Sequence, residues 1–194
     1  MPQLAMMKDK DIIKLFEANG AILEGHFRLS SGLHSQKYLQ CALILQKPDI
    51  AEKLCGELAS RFKGEKIDFV VGPALGGIVL SYEMARALGA RSIFTEREND
   101  MMTLRRGFSI KKGELGLVAE DVVTTGGSIA EVIKLVERLG GKTAGVVSLI
   151  DRSSGIDFGV KFETLAHVKI ETYSQDACPL CKKGIPVVKP GSRK

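Results

Sequence analysis

Residues 115–130, LGLVAEDVVTTGGSIA, hold the densest set of groups able to do chemistry. An apolar run through Leu117, Val118 and Ala119 ends in two adjacent acids, Glu120 and Asp121. Val122 and Val123 follow, and then the small polar cluster Thr124, Thr125, Gly126, Gly127 and Ser128. Neighbouring carboxylates where a parallel strand ends can accept hydrogen bonds from a vicinal diol, and ligands of open α/β sheets sit outside the carboxyl ends of the strands. The acids therefore read as a ribose clamp. Gly126 and Gly127 let backbone N–H groups turn toward a ligand, the threonine and serine hydroxyls add donors, and the following helix presents its positive end. The loop reads as a monophosphate cradle. No lysine follows the glycines as in a Walker A loop, and there is no G-x-G-x-x-G, so nucleoside triphosphates and dinucleotides fit poorly. The competing reading is an ordinary strand-turn-helix junction with an acidic edge and a serine N-cap.

Other groups support the first reading. Val70 and Val71 lead into Gly72-Pro73-Ala74-Leu75-Gly76-Gly77, a second strand and glycine-rich turn. Alone such glycines often serve only packing, but beside the acidic pair Ala74, Leu75 and Gly76 become a plausible diphosphate loop. Arg152 follows Asp151 just after an apolar strand. In isolation it suits a surface ion pair, and functionally its fork suits bidentate capture of a carboxylate. The pair Cys178-x-x-Cys181 resembles half of a zinc knuckle. A structural zinc needs four ligands and no second C-x-x-C or C-x-x-H exists, so no metal is expected there. Cys41, Cys55 or His167 would complete the set only by chance of folding. His26, His34 and His167 have no metal-ligand spacing and are expected at the surface or in ordinary hydrogen bonds.

The elements that must position these groups alternate. A short amphipathic helix over residues 9–19 precedes a strand-like, turn-rich stretch, and Pro48 opens a second helix that stops before Gly64. Strands over 67–71, 91–95, 115–119 and 144–150 alternate with helices over 77–88 and 128–139. That order implies right-handed βαβ units around a parallel sheet. Residues 96–114 are charged and aperiodic, which predicts a long mobile loop carrying Arg97, Arg105 and Arg106, with a possible strand at GFSI and a turn at KKGE. From Phe162 onward short strand-like pieces are expected to pair with the N-terminal stretch as a small subdomain.

The chain has 194 residues, enough for one domain with a sizeable core, and 44% hydrophobic with 26% charged residues describes a globular protein. No apolar stretch reaches membrane-spanning length and the N-terminus lacks the arrangement of a secretory signal, so neither a membrane nor export is expected and cytoplasmic location follows by default. The net charge of +5 suits an anionic ligand. The cations are dispersed, as on a solvated surface, and no nucleic-acid partner is expected. Four cysteines are too few for a disulfide framework.

The order of hydrophobics, two acids, two hydrophobics and Thr-Thr-Gly-Gly-Ser closely resembles the phosphoribosyl pyrophosphate (PRPP) motif of type I phosphoribosyltransferases. The stretch Phe27-Arg28-Leu29-Ser30-Ser31-Gly32-Leu33-His34-Ser35, with Tyr38 after it, resembles the N-terminal signature of the orotate phosphoribosyltransferases, and Asp151-Arg152 matches the family position where an arginine meets the orotate carboxylate. The likeness runs from about Asp9 to Pro190. It implies one α/β domain of the type I fold, with a central parallel sheet flanked by helices (core about 42–160) and a hood from about 1–41 and 161–194. It further implies conversion of orotate and PRPP, with Mg²⁺ held mainly through PRPP, to orotidine 5′-monophosphate and pyrophosphate in pyrimidine synthesis. Glu120, Asp121, Val122, Val123, Thr124, Thr125, Gly126, Gly127 and Ser128 would bind PRPP, together with Arg97, Ala74, Leu75 and Gly76. Thr124, Arg152, Ser30, Ser31 and Gly32 would meet orotate, and Asp121 would serve catalysis together with Arg97, Arg105 and Arg106 of a lid shared across a homodimer. Other members carry a tyrosine-lysine pair where this chain has Leu75-Gly76, a lysine at Ser30, and R-K-x-x-K-x-H in the lid, where Arg97 is here followed by Glu98. These departures place it in a second subgroup and leave open which cations meet pyrophosphate. A PRPP-sensing regulator and a purine-type phosphoribosyltransferase are the rival readings.

Overall fold

A computed structural model describes residues 7–29 and 31–190. Helix α1 (Asp9–Ala18) buries Ile12 and Phe16 and places Asp9 and Asp11 at its positive end. Strands β1 (Ile22–Arg28) and β2 (His34–Leu39) form an antiparallel hairpin. A short α2 (Ala42–Leu45), which no periodicity announces, precedes α3 (Pro48–Ser60), where Pro48 occupies the first turn and Leu54 and Leu58 are buried. The alternating part follows as β3 (Phe69–Pro73), α4 (Gly76–Leu88), β4 (Arg91–Glu98), β5 (Met101–Leu104), β6 (Leu115–Val123), α5 (Gly127–Arg138), β7 (Lys142–Asp151) and β8 (Lys161–His167). A two-residue β9 (Thr172–Tyr173) and the single turn α6 (Pro179–Lys182) are the last elements among the described residues.

The main sheet has six strands in the order β5-β4-β3-β6-β7-β8. All its neighbours are parallel except β5, which returns antiparallel along β4. From β3 the chain goes to β4 on one side, whereas β6 lies on the other. The strand order thus reverses between β3 and β6, and an open α/β sheet offers its ligand crevice there. Successive residues face opposite layers, as a twofold side-chain period requires. Val70, Leu117, Ala119 and Leu149 pack with α1, α3 and α4, while Phe69, Val71, Val118 and Val146 pack with Ile129, Val132 and Val136 of α5.

Three segments differ from the sequence reading. Residues 96–104, expected as loop, continue β4 and turn back into β5. Asn99 and Asp100 hold φ of 50° and 61° at the turn, the left-handed pair of a tight hairpin that asparagine and aspartate tolerate best among non-glycine residues. The GFSI strand does not form; Phe108 instead sets its ring edge-on to Phe94, centroids 5.1 Å apart. The third difference is β8, which joins the main sheet beside β7, so only residues after His167 are free to join the N-terminal hairpin. There β9 pairs with β2, and Val188 bridges Phe27, making a three-stranded hood.

Candidate active site

The acidic pair does not end its strand: β6 runs on through Val123. Glu120 and Asp121 sit at its carboxyl end, one step from β3 across the reversal of strand order. The Asp121 N–H donates to Glu120 Oε1 at 3.3 Å, and the Val122 N–H donates to Asp121 Oδ1 at 2.9 Å. Burial pushes the Asp121 carboxyl above its ordinary range, against the lowering effect of these hydrogen bonds. The burial comes from the glycine-rich turn after β3. A Cβ at Gly76 would stand 2.8 Å from both Asp121 carboxylate oxygens, and one at Gly77 would stand 2.8 Å from the Ala119 carbonyl oxygen. Only glycines let that turn lie on the end of β6. The Ala74 N–H is held by the Thr95 carbonyl at 2.8 Å, the Ala74–Leu75 peptide is cis, and the Leu75 side chain is exposed.

After Val123 the chain turns through Thr124 and Thr125 into Gly126, at φ 70°, where α5 begins. A Cβ at Gly126 would also lie 2.8 Å from the Phe158 ring. Both the backbone and its neighbour therefore demand glycine. Among the described residues no side chain caps α5 at its N-terminus, leaving its first N–H groups for an external acceptor. Residues Glu120 and Val122 to Ile129 line a small cleft of about 60 Å³ open to solvent, with predominantly polar walls. A phosphate fits this combination of uncapped amides and hydroxyls.

At the carboxyl end of β7, beside β6, the Arg152 N–H donates to the Val123 carbonyl at 2.8 Å. Asp151, buried, accepts the Ser153 N–H at 2.7 Å and lies 3.2 Å from His167 Nδ1, which fixes the turn that presents Arg152. The guanidinium is half-buried and its Nε has no hydrogen-bond partner among the described residues. Burial lowers its pKa from the usual range, with the Tyr38 hydroxyl acting the other way. Tyr38 is itself pushed up by burial and by Asp121, and so stands within electrostatic reach of both the acid and the arginine.

Residues 44–163 match the phosphoribosyl transferase domain family. The chain is 57% identical over 189 residues to the orotate phosphoribosyltransferase of Pelotomaculum thermopropionicum, covering 97% of this chain and all of that one. It is 52% identical to that of Thermotoga maritima, over 94% and 98% of the two chains. The chain belongs to the orotate phosphoribosyltransferase family. Among solved structures, the orotate phosphoribosyltransferase of Aeropyrum pernix superposes with a TM-score of 0.69 at 25% identity, over 81% of this chain and 93% of that one. An adenine phosphoribosyltransferase from Thermoanaerobacter pseudethanolicus shares the fold at 19% identity and a TM-score of 0.60, covering 68% of this chain and 88% of that one.

Within this orotate phosphoribosyltransferase-type fold the ends of β3, β6 and β7 bring together Ala74 to Gly76, Glu120 to Ser128 and Arg152. The lid and the hood turn stand apart. Arg97 donates to the Asp100 carbonyl at 2.6 Å and pairs with Glu131 of α5 at 2.8 Å; Arg106 grips Glu96 through two 2.8 Å hydrogen bonds; Arg105 lies 3.6 Å from Glu98. Each lid arginine is thus held by an acid of the same chain. Ser31 and Gly32 form the exposed turn between β1 and β2, with Gly32 at φ 82°; Ser30 lies outside the described residues. Tyr38, further along β2, is the hood residue that approaches Arg152. The sequence also gave no sign of Phe158 beneath Gly126, a lone aromatic in a polar turn segment. His26 and His34, expected at the surface or in ordinary hydrogen bonds, are buried together in the hood.

Proposed function

We propose that this protein transfers the phosphoribosyl group of PRPP to orotate, giving orotidine 5′-monophosphate and pyrophosphate for pyrimidine synthesis. A ring nitrogen of orotate, having lost its proton to solvent, bonds to the anomeric carbon as the bond from that carbon to the pyrophosphate oxygen breaks, and pyrophosphate leaves with the electron pair. The nucleophile is acidic by itself, so the protein needs no strong base. Its tasks are to position, to exclude water and to stabilise charge. Glu120 and Asp121 hold the ribose hydroxyls, the amides and hydroxyls from Thr124 to Ser128 hold the 5′-phosphate, and the turn from Ala74 to Gly76 faces the diphosphate.

The single observation that carries the choice of base is Arg152. A half-buried guanidinium without a carboxylate partner among the described residues, one strand away from the ribose clamp, is supplied with one by orotate; Thr124 and the hood turn Ser30, Ser31 and Gly32 would complete the base site. Purine bases have no carboxylate, and a regulator that merely sensed PRPP would not need this cation. Mg²⁺ fits the donor set, because Asp121 offers hard carboxylate oxygens directly under the diphosphate turn. Bound there mainly through PRPP, the ion would offset the charge on departing pyrophosphate. Arg97, Arg105 and Arg106 are the lid's cations for the same charge, reaching across a homodimer in a soluble, cytoplasmic enzyme. The test is consumption of orotate with PRPP and Mg²⁺, against adenine and uracil as bases. Turnover with orotate and none with the other two is expected; equal use of adenine would overturn the assignment.

A further inference from the structure

The hood has an interior made of unusual material. Where β1, β2 and the C-terminal segment meet, the buried side chains include His26, His34 and Cys178, with Cys181 half-buried beside them. Their ligating atoms all lie within 4.8 Å of one another. His26 Nε2 is 2.8 Å from His34 Nδ1, 3.5 Å from Cys178 Sγ and 3.7 Å from Cys181 Sγ, and Cys181 Sγ is 3.3 Å from His34 Nδ1.

Hydrogen bonding accounts for only one of the three contacts that converge on His26 Nε2. His26 Nδ1 is 2.7 Å from the Ile185 carbonyl oxygen, which can only accept, so Nδ1 carries the proton. In the neutral ring Nε2 then has one in-plane lone pair, and three groups converge on it. A single cation at the centre answers all four at once. We infer that His26, His34, Cys178 and Cys181 form a structural zinc site. Zinc bonded at about 2.0–2.1 Å to nitrogen and about 2.3 Å to sulfur in a tetrahedron sets nitrogen–sulfur separations of about 3.5 Å and a nitrogen–nitrogen separation of about 3.3 Å. The three nitrogen–sulfur distances straddle that value, and the two imidazoles need to part by only about half an ångström. Two thiolates neutralise the dication. Soft sulfur with imidazole in a tetrahedral set selects zinc over the hard cation of the reaction. The Ile185 carbonyl supplies the outer partner that fixes the His26 tautomer, as ligating histidines usually require.

With four protein ligands the site is closed, leaving no position for water or substrate, and so its work is structural. The hood gains the most from such a clip. Its third strand is two residues long, and Ile185, Val187 and Val188 in its C-terminal segment are exposed. The ligands tie both strands of the hairpin to the chain 144 residues beyond His34, the separation of His34 and Cys178. The Cys178-x-x-Cys181 pair, which read as half a knuckle, finds its other half in the two histidines that flank the base-facing turn.

The full-length protein should be expressed with added zinc, purified without chelator and subjected to elemental analysis. About one zinc per chain is expected, with most of it lost in Cys178→Ser/Cys181→Ser and in His34→Ala. Cobalt-substituted wild type should show the visible bands of tetrahedral cobalt and near-ultraviolet thiolate charge transfer, neither of which magnesium can produce. This readout stands even where a variant fails to fold. Absence of zinc together with absence of the cobalt bands overturns the site, as does zinc retained unchanged in either variant, a Cys178–Cys181 disulfide in fresh protein, or iron in zinc's place.

Discussion

A half-buried guanidinium whose Nε finds no acceptor among the described residues is costly to keep unless a ligand completes it, because a desolvated donor has given up water for nothing. Arg152 is in that position, and its neighbours Val123 and Asp151 hold its backbone rather than its charge. Loss of one partner from a desolvated charge pair costs about 2–5 kcal/mol. Arg152→Ala should therefore raise KM for orotate or lower kcat/KM by at least about thirtyfold while KM for PRPP changes little; wild-type orotate kinetics in the variant would place the carboxylate's partner elsewhere. Asp121 makes the opposite case, an acid kept where its charge is unwelcome. Its folded pKa lies above that of the unfolded chain, about 3.9, so stability is fully present below that pH and is lost as pH rises through the folded value. Asp121→Asn should then melt at or above the wild-type temperature at neutral pH, with the advantage gone below about pH 4, while activity collapses. A variant less stable at neutral than at acidic pH, relative to wild type, would refute this account.

Two adjacent glycines in the turn before α5 look alike in the sequence and differ in the structure. Gly126 is fixed by its left-handed backbone and by Phe158, whereas a Cβ on Gly127 would meet only Thr125 Oγ1 at 3.7 Å. Gly126→Ala should cost about 1–3 kcal/mol, lowering Tm by about 2–12 °C at this size, and weaken PRPP binding. Gly127→Ala should fold as wild type, so a rise in its KM for PRPP alone would report the closeness of the ligand. Equal melting of the two variants would contradict the distinction. The same contrast shows what the sequence could and could not reveal. Strands buried on both faces and helices at a 3.6-residue period announced β3, β4, β6 and β7 with α4 and α5, and the acid pair with its glycine loop announced the chemistry, since each is a local pattern. The β4–β5 hairpin was hidden because a solvated ribbon has no apolar period and its turn uses Asn99-Asp100 instead of a glycine. The hood cluster was hidden because its two halves lie at opposite ends of the chain, and nothing local in His26 or His34 points to Cys178.

At the scale of the whole molecule the open question for the reaction is where the lid's cations act. In this structure Arg97, Arg105 and Arg106 rest on Glu131, Glu98 and Glu96, in pairs that solvent reaches. Such pairs are worth about 0–1 kcal/mol each, far less than a multiply charged pyrophosphate offers, so the resting arrangement does not bar the arginines from the site. The site they would serve is built at the ends of β3, β6 and β7, and Arg105 and Arg106 lie past β5, at the sheet's outer edge. That placement favours delivery to a second copy over delivery to their own cleft. Subunits carrying Arg105→Ala/Arg106→Ala, mixed with subunits carrying Glu120→Gln/Asp121→Asn, should then form hybrid dimers in which both lesions fall on one site and the other is whole. Each hybrid should recover about half of wild-type activity, although either parent is nearly inactive. Tagging the two subunits differently and isolating the hybrid makes the comparison direct. Activity no greater than the parents' in a verified hybrid would mean that the lid closes on its own subunit, or that pyrophosphate is met by Arg97 and the diphosphate turn without the other two arginines.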